Sequence, residues 1–295
     1  MDFYEKSVNF YYNSYFYDEK DNLNCNKYSN QFKFNFYPSK ENHKTVNKWL
    51  ENGHLYENDV GLFLTYILKV GDVVIDVGAN IGLHTLLMST LVGENGKVIA
   101  FEPGIESFKE LTHNVKLNNF NNVELKNNAL GNSRNKKLKF KDSEFDSGHS
   151  SIVSEIDSNE SNSREITINT LDSYTHRFKK IKVVKIDVEG YEKHILNGCK
   201  KLLEDNKVRY WIVEYAPHCL AKYGENLSSI RNYFRKYGYD MFVLDPSCSL
   251  PKFIPSNTVI HAKVIPNLLF TRMEFINEDW LFEDLTSHIS PRNLF

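Results

Sequence analysis

The chain has 295 residues, enough to bury a sizeable core in one large or two modest domains. Its 36 basic and 38 acidic residues leave a net charge of −2, so no overall field points to nucleic acid or to an anionic membrane. No apolar run reaches the ~18–20 residues of a membrane span, and the opening MDFYEKSVNF lacks the pattern of a secretory leader. Four cysteines (Cys25, Cys199, Cys219, Cys248) have no metal or redox spacing, and together these features lead us to expect a cytoplasmic protein.

Residues 1–40 hold 13 of the 40 aromatic side chains. Phe32, Phe34 and Phe36 alternate with Lys33 and Asn35, the period of a half-buried strand. These rings plug an edge of the following domain, wall a substrate, or form a homodimer contact; the pattern alone does not choose. Residues 45–68 read as helical in two pieces around Gly53, and Glu57 suits the first turn of the second piece, where the helix dipole favours an acid.

Residues 70–85, VGDVVIDVGANIGLHT, organise the rest. The β-branched run Val73-Val74-Ile75 is too short for a helix and predicts a buried strand closed by Asp76. Gly78, Asn80 and Gly82 then make a tight turn into a helix, so backbone approaches a ligand closely beside the Asp76 carboxylate. The spacing is not the G-x-G-x-x-G that cradles a pyrophosphate, and an acid beside the glycines suits a cationic ligand. A second strand, Lys97 through Phe101, ends at Glu102-Pro103; an acid there is placed to accept hydrogen bonds from both hydroxyls of a ribose.

Residues 123–131, VELKNNALG, predict a third strand and a turn. Residues 141–164 are polar and aperiodic, a surface excursion containing Ser147-Gly148-His149-Ser150-Ser151; it is either a solvated loop or a lid. Residues 183–191, VVKIDVEGY, predict a strand that delivers Asp187 and Glu189 to its end before Gly190 opens a helix. The two carboxylates share a side if the strand continues and diverge if a turn intervenes. The strand from Tyr210 ends in Glu214, either a solvated strand end or a member of the site. Acids at these strand ends are also natural partners for Lys185 or Arg209. A helix over 226–237 and a strand over 239–244 follow.

The strings IDVGANIG and KIDVEGYE together resemble the FkbM family of S-adenosylmethionine-dependent methyltransferases. The resemblance runs from about residue 32 to 272 and implies a Rossmann-like α/β class I methyltransferase fold. That means a seven-stranded, mostly parallel sheet, its last strand antiparallel, with helices on both faces. It divides the chain into an aromatic-rich extension (1–54), the methyltransferase domain (55–272) and a C-terminal tail (273–295). It implies that Glu57, from a Tyr-Glu pair, lies near the cofactor's amino group, and that Asn128, Ala129 and Leu130 lie along the adenine. With Asp76, Gly78, Asn80, Gly82, Glu102 and Asp187 these complete the expected cofactor site.

Methyl transfer needs an acid on the acceptor's side, either to take the hydroxyl proton or to hold a divalent metal that lowers its pKa. Asp187 is the first candidate for that base and Glu189 the second, with His149 available from the lid. Asp187 and Glu214 are the candidate ligands if Mg²⁺ takes part. The expected reaction is O-methylation of a sugar, glycan or natural product. The rivals are a methyltransferase of nucleic acid or protein and an NAD-dependent oxidoreductase. No basic stripe offers a phosphate track, and no third glycine or Tyr-x-x-x-Lys pair supports the oxidoreductase.

Overall fold

The computed structural model describes residues 6–13, 16–17, 23–24, 29–36, 57–142, 150–153, 163–245, 248–255, 258, 260 and 265–279. The first helical piece expected before Gly53, the Leu55-Tyr56 pair, His149 and residues 280–295 lie outside these.

Strands β1 (Lys6–Asn13) and β4 (Ser29–Phe36) pair antiparallel, as do β2 (Phe16–Tyr17) and β3 (Leu23–Asn24). Helix α1 (Asn58–Ile67) is followed by β5 (Val73–Val77), α2 (Leu83–Val92), β6 (Lys97–Phe101), α3 (Ile105–Leu117) and β7 (Val123–Lys126). Four short strands come next: β8 (Ala129–Leu130), β9 (Lys136–Lys141), β10 (Ser151–Ile152) and β11 (Arg164–Asn169). Then come α4 (Leu171–Thr175), β12 (Ile181–Ile186), α5 (Glu192–Asn197), α6 (Lys200–Glu204), β13 (Val208–Glu214), α7 (Pro217–Ala221) and α8 (Leu227–Arg235). The hairpin β14 (Asp240–Asp245) and β15 (Cys248–Phe253), strand β16 (Asn267–Thr271) and helix α9 (Met273–Asp279) close the described chain.

The main sheet has the order β15-β14-β16-β13-β12-β5-β6-β7. Strands β7, β6, β5, β12 and β13 run parallel, and β16 is antiparallel to both β13 and β14. The seven expected strands are all present, and β15 adds an eighth at the edge by pairing antiparallel with β14. Strands of a parallel sheet are covered on both faces, which is why their apolar runs are continuous. Val74, Val98, Val183 and Ile212 point into one core with α1, α2 and α3, while Ile75, Ile99, Val184 and Val213 point into the other with α5, α6 and α8.

Strand β4 belongs to the first core. Phe34 and Phe36 are buried there, and Asn118 holds the backbone of Asn35 at both ends, donating from Nδ2 to its carbonyl and accepting its N–H, each at 2.7 Å. The alternation of Phe34, Asn35 and Phe36 thus reports a strand with one face in the core. Among its described residues the polar excursion contains an element that composition hid: Ser151 and Ile152 pair with Lys141 and Phe140, and Ile152 is buried in one cluster with Phe140 and Ile166. This pairing forms one edge of the small sheet β10-β9-β11-β8. At the other end of the chain, α9 buries Ile276, and Asp279 binds Lys182 and Tyr210 at 2.7 Å each.

The chain winds from β5 outward to β7 and then returns to the other side of β5 with β12. Such a reversal of direction opens a crevice at the carboxyl ends of the two strands. Backbone bonds tie the three loops there together: Gly78 and Ala79 both donate to the Phe101 carbonyl, and Asp187 donates to the Val77 carbonyl, all at 3.0 Å.

Candidate active site

The crevice is a cleft of about 1010 Å³ measured out to solvent. Asp76 near the end of β5, Glu102 and Asp187 just past β6 and β12, and Glu214 at the end of β13 open onto it beside Glu57 and Glu189. Asn128, Ala129 and Leu130 line its far wall, and Gly78, Asn80 and Gly82 form its floor. Every expected site residue among those described therefore borders one cavity.

The floor is shaped by close packing of the protein on itself. A Cβ on Gly78, whose φ is +81°, would lie 1.7 Å from the Asp187 carbonyl oxygen; one on Gly82, at φ +97°, would lie 2.6 Å from Leu111. These glycines let the β5 turn meet the β12 loop and α3. Asn80 adopts φ 50°, a left-handed value asparagine tolerates. Its backbone N–H donates to Glu102 Oε2 at 2.8 Å, and Gly104 N–H donates to Oε1 at 2.7 Å. Each Glu102 oxygen keeps a lone pair, so the carboxylate can accept two further donors, as a ribose diol would require. Burial pushes Glu102 up to about 7, against the pull of those two backbone donors. Asp76 is 1% exposed; Thr85 Oγ1 donates to its Oδ2 at 2.6 Å, while Oδ1 has no hydrogen-bond partner among the described residues.

The second half of the site centres on Lys185. It stands two residues before Asp187 on the same face of β12 and is 2% exposed. Its Nζ donates to Asp187 Oδ2 at 2.7 Å and lies 3.6 Å from Glu57 Oε2. Burial works against the ammonium, but Asp187, Glu57 and Asp76 outweigh it and hold the lysine well above its ordinary value. Glu57 sits at the start of α1 with φ 52° and makes no cap bond. Its side chain turns instead to His84 Nε2 at 2.7 Å, while Asn267 Nδ2 donates to Glu57 Oε1 at 3.2 Å and to Asp59 at 3.1 Å. Burial raises Glu57, yet Lys185 and His84 prevail and hold it far below the carboxylate range.

Glu214 differs. Burial comes first, with the Asp187, Glu57 and Glu189 carboxylates adding to it, so its carboxyl is driven well up and its Oε2 is unpaired among the described residues. One carboxylate oxygen each from Glu57, Asp187 and Glu214 lies within 4.8 Å of the other two.

A turn does intervene after Asp187. Glu189 takes φ 54° and Gly190 φ 103°, and Glu192 Oε1 accepts from the N–H of Val188 at 3.3 Å and of Gly190 at 3.0 Å. Asp187 and Glu189 thus diverge, and Glu189 receives the Cys219 Sγ–H at 3.2 Å. Burial and Glu189 push that thiol up to about 12, which leaves it an inert donor.

His84, Asn267, Thr85 and Glu192 were not singled out from sequence. His84 and Thr85 had a signal, since both fall within the first turn of the helix that follows the glycines. Asn267 had none, being 210 residues from the Glu57 it binds.

Residues 76–241 match a sequence profile described as the methyltransferase FkbM domain. The chain is 31% identical over 162 residues to the hexuronic acid methyltransferase AglP of Haloferax volcanii, an alignment covering 54% of this chain and 62% of that one. Among solved structures it is similar to methyltransferase FkbM from Methylobacillus flagellatus, with 14% identity, TM-score 0.45, and coverage of 68% of this chain and 43% of that chain. It is also similar to an S-adenosylmethionine-dependent O-methyltransferase from Thermotoga maritima, with 12% identity, TM-score 0.40, and coverage of 82% and 74%. The chain spans less than two thirds of the AglP relative and of the Methylobacillus protein. No helix among the described residues is long and apolar enough to cross a membrane.

Proposed function

The chain belongs to the FkbM methyltransferase family, and on that premise we propose that it moves a methyl group from S-adenosylmethionine to a hydroxyl of a sugar, glycan or related natural product. When bound, S-adenosylmethionine supplies an electrophilic methyl on a sulfonium whose charge disperses in the transition state. Glu102 would hold the ribose diol, the Asn128 to Leu130 wall the adenine, and Asp76 the cationic end. The oxygen set at Glu102 fits that task, because each oxygen accepts one backbone donor, keeps a lone pair, and belongs to a residue that lines the cleft.

The observation that carries the reading is the state of Asp187. Lys185 pins Oδ2 at 2.7 Å, while the side chain keeps 20% of its surface open to the cleft. A carboxylate with one oxygen held by an ammonium and its side chain open to the cleft is placed to take a proton from a hydroxyl. Charge on the acceptor's side favours the transition state over the ground state, whereas charge against the sulfonium would not. Glu189 is turned toward Cys219 and stands second to Asp187 for this role. The AglP relative acts on a hexuronic acid by its name, which supports a sugar-type acceptor.

The test is transfer from methyl-labelled S-adenosylmethionine to a panel of hexoses, hexuronic acids and macrolides, with the product's bond type read by mass spectrometry. We expect an added methyl on oxygen. Methyl found on nitrogen or carbon, with every hydroxyl acceptor silent, would overturn the O-methyltransferase reading.

A further inference from the structure

Three carboxylates whose oxygens approach within 4.8 Å have the chemistry of a hard-cation site, since Mg²⁺ and Mn²⁺ favour carboxylate oxygen. The triangle of Glu57, Asp187 and Glu214 is not empty of positive charge, however. We infer that the Lys185 ammonium is the resident cation of this triangle, holding the place a divalent metal would take and positioning Asp187 for metal-independent proton transfer. The inference deepens the proposed function and rests on it only for the role of Asp187.

The geometry supports this in three ways. Lys185 Nζ takes Asp187 Oδ2 at 2.7 Å and stands 3.6 Å from Glu57 Oε2, so two of the three candidate ligand side chains face the ammonium. An ion bonded to Oδ2 at about 2.1 Å would lie within about 5 Å of that ammonium, inside a low-dielectric pocket where the two repel strongly.

The remaining coordination of Glu57 is also committed. His84 Nε2 binds the same Oε2 at 2.7 Å and Asn267 binds Oε1, so a metal would have to displace a cation and compete with a histidine and an amide. Finally, Lys185 stands on a central strand between β5 and β13 and is only 2% exposed where it borders the cleft, so its ammonium is held among these acids. A buried lysine stays charged only beside compensating acids, and here the acids and the lysine account for one another. In this role Lys185 acts through Asp187, so it is a positioning residue.

The wild-type chain and Lys185→Met, which keeps length and removes charge, are titrated with Mn²⁺ while free ion is followed by electron paramagnetic resonance. We expect no stoichiometric binding by the wild type up to ~1 mM ion, and binding at least about tenfold tighter in Lys185→Met, abolished by adding Asp187→Asn. A wild-type chain that binds one Mn²⁺ at micromolar concentration, lost in Asp187→Asn, overturns the inference. So does a folded Lys185→Met that binds no ion.

If Lys185→Met does not fold, the wild-type titration decides alone, with Lys185→Arg as the folded control expected to exclude Mn²⁺ as well. Failure of methyl transfer would leave these ion-binding results untouched, so the two readings fail separately. Wild-type transfer, once an acceptor is found, should survive EDTA; transfer abolished by EDTA and restored by Mg²⁺ would count against Lys185 in the same way.

Discussion

At the scale of single residues, the site is a set of carboxylates kept in different states by their neighbours. Glu102 is buried among backbone donors and raised to about 7, above its ordinary 4.5. Its burial penalty is therefore absent below pH 4.5 and fully present above pH 7, so it favours the unliganded fold at the acid end. In the proposed site ribose hydroxyls would donate to the ionised form, so cofactor binding should release a proton and tighten between about pH 5.5 and 7.5, then level off. Charge-assisted bonds of about 1.5–3 kcal/mol predict at least about tenfold weaker binding for Glu102→Ala, together with loss of that slope. Calorimetry in two buffers of different ionisation enthalpy checks both. Asp187→Asn should leave cofactor affinity within about a few-fold and lower turnover by ~10²–10⁴, read as kcat at saturating cofactor.

The acids Asp76, Glu102, Asp187 and Glu214 were legible because each follows an apolar strand, and strand ends in a wound α/β sheet converge. Lys185 and Arg209 were both legible as partners for strand-end acids; Lys185 takes Asp187, whereas Arg209 pairs with Glu278 and Asp279. The network of His84, Glu57 and Asn267 was not, because no local pattern links positions so far apart in sequence.

At the scale of elements, the turn after β5 and the turn after β12 are one structural unit. Gly78 presses on the Asp187 carbonyl at a distance that leaves no room for a Cβ, and its φ of +81° suits no other residue well. Gly78→Ala should therefore destabilise the fold by ~3–5 kcal/mol and displace Asp187, lowering both melting temperature and turnover. A melting curve identical to wild type would show that the two turns are not coupled.

The strands of the main sheet, β15 apart, followed from apolar runs and their breaks. Not read from the sequence were β1 to β3, β9, β10 and β15, and the break between α5 and α6. A two-residue strand has no periodicity to detect, and β15 contains Pro251, which is tolerated because the strand lies at the sheet edge. Whether Asp187 and Glu189 share a side or diverge was left open by the sequence, since the outcome depends on a left-handed glutamate that Glu192 stabilises through the adjoining backbone.

At the scale of the whole molecule, the N-terminal aromatic strand and the methyltransferase fold share a core. Phe34 and Phe36 fill the space against α2 and α3, so a chain begun at residue 55 would bare that surface. We expect such a truncation to aggregate or melt well below the full chain, and Phe36→Ala to cost ~3–5 kcal/mol. A truncated chain as stable as the full one would make the strand an appendage. The central proposal is that the crevice of the wound sheet would hold S-adenosylmethionine through Glu102. Isothermal titration of the full chain with S-adenosylmethionine, alongside NAD and alongside Glu102→Ala, tests that claim most directly. The account predicts one-to-one binding of S-adenosylmethionine, none of NAD, and at least about tenfold loss in the variant. Binding of NAD in place of S-adenosylmethionine, or an affinity unchanged in a folded Glu102→Ala, would contradict it.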